Sequence, residues 1–448
     1  MRTCLTIVLI SALPMALWGF STGPPLKRTG AAVDGGVNCA ACHRTFAPAN
    51  SDPAGSLRIT ADNYTPGVKQ TIRVSVSHPG ASRWGFQLTA RTVSDEAKTA
   101  GTFAANDVVK IMCDDGTSLG AAAPCQATQL QFAEHISAPR TNAGDGYTFS
   151  IDWTPPATAV GDIIFYAAGN AADGGGSPAN DRIYTTARRI SPPCGLTAKP
   201  AVKGMLNAAS FQAAWNVGSM VSVFGSNFGA AGATRTANAA DFVAGKFPQS
   251  LSCVAVSING QNAPVTYVQP DQINIQAPAL STIGTASVVV IANPGASNEI
   301  RSDAFTVSGQ QAYAPAFFTF NGKSVAATTA DGTGYVAASS VVPGGVPAKP
   351  GDIVVIYASG LGATSPAFSP GDVPNAAAQV AATVNVTVGG ITVPPADILY
   401  AGVSPHSICG LYQLNVRLPA LVADGDAAVT LAVAGAQSPA GTTIPIKK

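Results

Sequence analysis

Residues 147–153 read Tyr-Thr-Phe-Ser-Ile-Asp-Trp, so that large apolar side chains alternate one by one with polar ones. A period of two places the apolar set on one face of an extended strand and the polar set on the other. Residues 70–76, 84–90 and 162–167 repeat this pattern between short stretches rich in turn residues. Apart from the N-terminal leader, no convincing helical pattern appears. The sequence therefore predicts an all-β chain of sandwich domains.

The C-terminal half repeats itself. Residues 218–229 align with residues 351–362, which lie 133 positions later. The segment Gln-Ile-Asn-Ile at 272–275 corresponds to Gln-Leu-Asn-Val at 413–416, 141 positions later. The larger offset places an insertion around Ser404–Gly410 in the second copy. Two copies of one fold are therefore expected.

The stretch Cys-Ala-Ala-Cys-His at 39–43 has the spacing of a c-type haem attachment site. Cys39 and Cys42 would form thioethers with the haem vinyl groups, and His43 would be the proximal iron ligand. We therefore predict one covalent haem c. Three alternatives remain open: a Cys39–Cys42 disulfide, a redox C-x-x-C, and a zinc site. The zinc site would need ligands from more than thirty residues away.

The N-terminus favours export, which c-type attachment requires. Met1 and Arg2 give a basic start, and an apolar run over 5–20 ends in small residues. Residues 1–21 are therefore predicted to be a cleaved signal peptide, too short for a comfortable membrane span. No later stretch approaches the length of a spanning helix. The mature protein is expected in the periplasm, at the cell surface or outside the cell, without a transmembrane segment.

A second axial ligand would set the type of haem chemistry, since an open sixth position suits ligand binding and a filled one suits electron transfer. His135 is the favoured candidate because it lies in a predicted strand of the same domain. His78, Met112 or no protein ligand are the alternatives. A calcium loop at 173–181 is a further alternative for the glycine-rich segment there, although ligand periodicity is missing.

The remaining cysteines suggest disulfides in an oxidising compartment. Cys113 and Cys125 flank a glycine-containing turn and are expected to pair. Cys194, Cys253 and Cys409 leave one cysteine over, and their pairing cannot be read from the sequence.

Charge and motifs limit the function classes. The 448 residues carry a formal net charge of +1, which gives no electrostatic reason to expect nucleic acid or an anionic membrane as a partner. No G-x-S-x-G, H-E-x-x-H or P-loop motif occurs. We therefore expect a protein that is not an enzyme.

Residues 22–190 resemble the reelin-like (reeler) sandwich. The resemblance lies in Tyr-x-Pro-Gly at 64–67, the run at 83–91, Gly101 with Phe103, and the segment 149–156 followed by Gly161. With Ser-Thr-Gly-Pro-Pro at 21–25 and the C-x-x-C-H, this part looks like bacterial haem-motif relatives often labelled choice-of-anchor V proteins. The resemblance implies an exported β-sandwich with an N-terminal haem loop and no assigned reaction.

The tandem repeat over 200–446 resembles IPT/TIG-like immunoglobulin folds, and as a whole looks like an uncharacterised C-terminal module of exported acidobacterial proteins. That resemblance carries no catalytic residues. The predicted organisation is three immunoglobulin-like or β-sandwich domains in tandem after the leader and an irregular haem-attachment loop. The ranges are signal peptide 1–21, haem loop 22–56, reelin-like sandwich 57–192, first IPT/TIG-like repeat 193–310 and second repeat 311–448.

Two functions from different classes follow. In the first, the chain is an exported monohaem cytochrome in which His43 and His135 hold the iron. Its immunoglobulin-like modules display it or dock it to a redox partner protein or a surface assembly partner, self-assembly included. In the second, the chain is an adhesive or structural surface protein that binds protein or glycan, and the C-x-x-C is vestigial or a disulfide.

Overall fold

The computed structural model describes residues 21–448. The predicted signal peptide therefore lies outside the described residues apart from Ser21. The chain divides into two compact units, Met1–Pro193 and Cys194–Lys448. Within residues 21–448 the only helical elements are four short 3₁₀ turns, at Ala32–Asp34, Cys39–Ala41, Ala239–Asp241 and Pro395–Asp397. The predicted all-β fold class is confirmed.

The N-terminal unit is a sandwich of two antiparallel sheets. One sheet has the order β1-β2-β9-β5, and the other has the order β11-β10-β3-β8-β6-β7 with β4 on β3. The strands are β1 Ser56–Thr60, β2 Gln70–Ser77, β3 Arg83–Thr92, β4 Asp95–Thr99, β5 Thr102–Phe103, β6 Val109–Cys113, β7 Ala121–Ala122, β8 Gln131–His135, β9 Tyr147–Thr154, β10 Ile163–Ala172 and β11 Arg182–Ile190.

The core of this unit contains the apolar face that the alternation predicted. On β9, Phe149, Ile151 and Trp153 are fully buried, while Thr148 and Ser150 are exposed. Phe149 stacks on Phe86 of β3 with ring centroids 4.2 Å apart. Aromatic pairs of this kind add to the stability gained from burying their area.

Strand β3 is buried on both faces. Its core face carries Trp84, Phe86 and Leu88, whereas Gln87, Thr89 and Arg91 on the other face are fully buried as well. The N-terminal segment, residues 21–55, covers this second face. Although it contains only two 3₁₀ turns, the segment is held to the sheet by specific hydrogen bonds.

Gln87 is the centre of that attachment. Its Oε1 accepts a hydrogen bond from the Arg28 backbone N–H at 2.7 Å, and its Nε2 donates to the Pro25 carbonyl at 3.0 Å. The same amide donates to Glu134 Oε2 at 3.0 Å. A second attachment is the ion pair between Arg91 Nη2 and Asp34 Oδ2 at 2.7 Å. The predicted haem loop is thus irregular in secondary structure but fixed in position by buried polar contacts.

The first repeat of the C-terminal unit has the sheets β12-β13-β18-β17-β14 and β16-β15-β19-β20, with β21 on β19. Its strands are β12 Ala201–Asn207, β13 Met220–Ser226, β14 Arg235–Thr236, β15 Val254–Ile258, β16 Gln261–Asn262, β17 Val265–Gln269, β18 Gln272–Gln276, β19 Ala286–Ala292, β20 Ile300–Arg301 and β21 Phe305–Val307.

The second repeat has the same central topology, with sheets β22-β24-β30-β29-β26-β25 and β28-β27-β31-β32, while β23 pairs with β24 and β33 with β31. Its strands are β22 Ala316–Phe317, β23 Ala327–Thr329, β24 Ile353–Ser359, β25 Thr364–Ser365, β26 Gln379–Val380, β27 Val384–Val388, β28 Ile391–Thr392, β29 Ile398–Val403, β30 Tyr412–Arg417, β31 Gly425–Val433, β32 Ala436–Gln437 and β33 Thr443–Ile446.

The predicted insertion is the loop between β29 and β30, where the first repeat has only a two-residue turn between β17 and β18. Its Cys409 is buried and lies between the repeats: Gln276 Nε2 donates to Cys409 Sγ at 3.3 Å, and the thiol donates to the Ser369 carbonyl at 3.1 Å. The Met220 backbone N–H donates to Ser359 Oγ at 2.8 Å in the same interface. The insertion therefore helps to join the two repeats.

Two disulfides are present. Cys113 and Cys125, the pair expected from the sequence, are bonded, and Cys194 is bonded to Cys253. Cys409 is the cysteine left over, and Cys39 and Cys42 are also unbonded. The two bonds fit an exported protein, since disulfides persist in oxidising compartments. None of the helices in residues 21–448 has the length and apolar character needed to cross a membrane.

Candidate functional site

A cleft opens in the N-terminal unit between the N-terminal segment and the sheet that it covers. The empty space between its walls, open solvent included, is about 860 Å³. Its floor comes from the beginning of β3 and the end of β10, and one wall comes from the 173–181 hairpin loop. The cleft is lined by four residues that the sequence singled out, which are Cys39, Cys42, His43 and His135. Residues far apart in the chain therefore meet at one place.

The C-x-x-C-H segment forms a tight turn. Asn38 precedes the turn, and its side chain accepts a hydrogen bond from the Ala40 N–H at 2.9 Å. The backbone N–H groups of Cys42 and His43 both donate to the Cys39 carbonyl. The two thiols are not joined to each other. Burial, followed by repulsion from Cys42, raises the pKa of Cys39 to about 12, which keeps it a neutral thiol at physiological pH.

His43 has an oriented imidazole ring. Its Nδ1 lies 2.7 Å from Asp181 Oδ2, and the same oxygen accepts a hydrogen bond from Asn170 Nδ2 at 3.1 Å. A carboxylate at this distance favours the tautomer in which Nδ1 carries the proton and donates it to Asp181. The lone pair of Nε2 is then the one available to a metal, as in most metal-binding histidines. The other oxygen of Asp181 is buried and makes no hydrogen bond within residues 21–448.

His135 ends β8 and is 5% exposed. Its Nδ1 contacts the backbone of Phe86, 3.1 Å from the amide nitrogen and 3.2 Å from the carbonyl oxygen. The ring lies over Gly85, where a Cβ atom would be only 2.9 Å from His135 Cε1. The position of His135 therefore depends on the missing side chain at residue 85, and an iron atom would be reached through Nε2.

The other proposed sixth ligands lie elsewhere. His78 is buried in the turn after β2, where its Nδ1 accepts from the Gly80 N–H at 2.9 Å and its Nε2 lies 3.1 Å from Asp52. His78 therefore stabilises the turn before β3. Met112 lies on β6 opposite Phe132, and neither His78 nor Met112 lines the cleft.

The metal alternatives have little support in the described geometry. Within residues 21–448, no group of three or more His, Cys, Asp or Glu side chains is placed to hold a metal ion. In the 173–181 loop, the carboxylate of Asp173 accepts the Gly175 N–H at 2.7 Å, as an ordinary turn residue does.

The residues of the cleft fit a c-type haem. Pro24, Pro25, Ala138 and Ala172 supply apolar surface to the cleft. Two unbonded thiols and two histidines complete the donor set. When bound, such a haem would supply a one-electron iron couple.

Sequence reasoning missed three residues that organise this site. Asp181 and Asn170 orient His43, and Gly85 makes room for His135. The sequence places Asp181 only in a glycine-rich loop, for which calcium binding is an alternative. Nothing in that glycine-rich segment indicates that Asp181 meets a histidine 138 positions earlier in the chain.

One family model and several solved structures are similar to parts of the chain. Residues 210–308 match the IPT/TIG domain model. The reeler domain of human F-spondin is 21% identical, covering 31% of this chain and 89% of that one, with a TM-score of 0.21. The SGBP-B protein of a Bacteroides ovatus mixed-linkage glucan utilization locus, in complex with a mixed-linkage heptasaccharide, is 11% identical. It covers 90% of this chain and 68% of that one, with a TM-score of 0.26.

A cohesin module from a Clostridium perfringens family 33 glycoside hydrolase is 10% identical, covering 31% of this chain and 96% of that one, with a TM-score of 0.21. No curated protein is significantly similar to the chain. Structural similarities at these values say nothing about function. The IPT/TIG match places an immunoglobulin-like domain in the C-terminal half, as the sequence predicted.

Proposed function

We propose that the protein is an exported monohaem c-type cytochrome that transfers electrons, and that its immunoglobulin-like domains display it or dock it to a redox partner. The observation that carries this proposal is the meeting of Cys39, Cys42, His43 and His135 in one cleft. A haem attached there would have a histidine available from the attachment motif and another from β8. Two histidine ligands leave no open position for substrate, which favours electron transfer over catalysis.

The chain's own residues would do three things. Cys39 and Cys42 fix the cofactor covalently, so that it is retained in an exported protein. Asp181 holds the Nδ1 proton of His43 and thereby orients the ring. Pro24 and Pro25 of the N-terminal segment cover part of the cleft and shield it from water, which strengthens the electrostatic influence of nearby charges on the bound group.

The test is to export the full chain from a host competent in cytochrome c maturation. We expect a c-type pyridine haemochrome and an intact mass increased by one haem. The Cys39→Ala, Cys42→Ala double variant should lose covalent haem completely, whereas the exposed His406→Asn variant should load normally. A colourless wild-type protein from a host that matures a control cytochrome would reject the cytochrome function and favour the adhesive alternative.

The carboxylate of Asp181 should lower the midpoint potential of the haem. Replacing Asp181 with Asn removes a negative charge that stabilises oxidised iron through His43, so the midpoint potential should rise by on the order of 50 mV. This figure assumes that the charge changes the relative stability of oxidised and reduced iron about tenfold. A tenfold change corresponds to about 59 mV for a one-electron couple. Spectroelectrochemical titration measures it. Asp173→Asn, in the same hairpin loop but exposed, is the matched control and should leave the potential unchanged.

A further inference from the structure

Two arginines line the same cleft without an acidic partner. Arg28 comes from the N-terminal segment and Arg83 begins β3. Neither forms an ion pair with any residue that the structure describes, and the Nε atom of each is buried without a hydrogen bond there. The guanidinium of Arg28 reaches only the Leu26 carbonyl, at 3.4 Å.

Three other shielded arginines of this unit, in contrast, are paired with carboxylates. Arg91 lies 2.7 Å from Asp34, Arg182 lies 2.8 Å from Asp52, and Arg189 lies 3.8 Å from Asp162. A buried guanidinium N–H that lacks an acceptor is costly, so its persistence beside a cleft suggests an acceptor that enters with a ligand.

The chemistry of that ligand can be stated from the groups around it. A guanidinium binds a carboxylate in a planar, often two-pronged arrangement with charge-assisted hydrogen bonds. The remaining lining includes the apolar residues Pro24, Pro25, Ala138 and Ala172. The cleft therefore suits a flat apolar molecule that carries carboxylates at its edge. The carboxylate of Asp181 is already engaged with His43, so the two arginines are not neutralised from within the cleft.

We propose that Arg28 and Arg83 bind the two propionate carboxylates of the haem. This inference rests on the proposed haem site and adds to it a recognition element independent of the thioether bonds. It gives the cleft a means of selecting and orienting haem before Cys39 and Cys42 are joined to it.

The inference can be tested by comparing haemin with haemin dimethyl ester, which has the same macrocycle but no carboxylates. The full chain carrying Cys39→Ala and Cys42→Ala allows dissociation constants to be measured by optical titration. Haemin should bind about 10- to 100-fold more tightly than the ester, the range expected for charge-assisted hydrogen bonds. Adding Arg28→Gln and Arg83→Gln should remove this preference while leaving affinity for the ester unchanged.

Arg44→Gln is the matched control, because Arg44 follows His43 directly but is exposed and lies outside the cleft lining. It should preserve the preference for haemin. Equal affinities for haemin and ester, or equal losses for both in the double arginine variant, would overturn the assignment.

A second measurement uses the protein with its haem covalently attached. It keeps Cys39 and Cys42, so its result does not depend on whether the cysteine variant folds. Removing two positive charges beside the haem should lower the midpoint potential of Arg28→Gln, Arg83→Gln relative to both wild type and Arg44→Gln. An unchanged potential would also contradict the assignment. Absence of any covalent haem in wild type is a different result, which would overturn the proposed function itself.

Discussion

The Arg91→Met variant is expected to lose about 3–5 kcal/mol of unfolding free energy, the usual cost of removing one partner from a buried ion pair. Arg91 is fully buried, and its partner Asp34 is 7% exposed. The same guanidinium donates to Thr89 Oγ1 at 3.0 Å and to the Glu96 carbonyl at 2.8 Å. Methionine supplies none of these hydrogen bonds and leaves a carboxylate without its counter-charge.

The reason for so large an effect is the place of this pair in the fold. Asp34 belongs to the N-terminal segment and Arg91 to β3, so the pair joins the segment to the sheet. Once the pair is lost, Asp34 can regain water only if the surrounding turn leaves the sheet surface. We therefore expect faster proteolysis within residues 21–55 as well as lower stability.

Urea unfolding followed by tryptophan fluorescence would measure the effect, with Arg73→Met as the control. Arg73 lies exposed on β2, and its replacement should change stability by no more than about 0.5 kcal/mol. A double variant, Asp34→Leu with Arg91→Met, should recover part of the loss, because replacing both partners leaves no isolated charge. Equal stabilities for Arg91→Met and Arg73→Met would show that the pair does not hold the segment.

This buried pair also marks where sequence reasoning fell short. The alternation at 147–153 located β9 and its core face because one side of that strand faces solvent. On β3 the polar residues Gln87, Thr89 and Arg91 alternate in the same way, and the pattern predicts a solvent-facing side. The structure covers that side with residues 21–55, a tertiary contact that periodicity cannot report.

The attachment motif of the candidate site was predictable from the sequence, whereas the position of His135 beside it was not. The spacing of Cys39, Cys42 and His43 is local, so the sequence displays it directly. That His135 lines the same cleft follows from the pairing of β8 with β3, which no local pattern encodes. The repeat in the C-terminal half was visible because both copies keep the same strand sequence, and the insertion before β30 was visible as a change of offset.

A change of spin state is expected from Gly85, a residue with no functional group. In the haem-loaded protein, Gly85→Ala should convert most of the low-spin spectrum to high-spin, as His135→Ala should. The new Cβ would lie 2.9 Å from His135 Cε1, closer than such atoms approach in proteins, so the imidazole must move. The displaced ring would then be unable to keep both its Phe86 contact and a bond to iron.

Gly204→Ala is the matched control, because Gly204 also lies in a strand and no atom is within 4 Å of its added Cβ. It should leave the spectrum unchanged. Optical and electron paramagnetic resonance spectra distinguish the spin states, and urea unfolding should show a cost of about 1–3 kcal/mol for the overpacked position. If both His135→Ala and Gly85→Ala remain low-spin, His135 is not the sixth ligand. If only His135→Ala becomes high-spin, the ring can shift without leaving the iron. The pair of variants thus separates the identity of the ligand from the space that positions it.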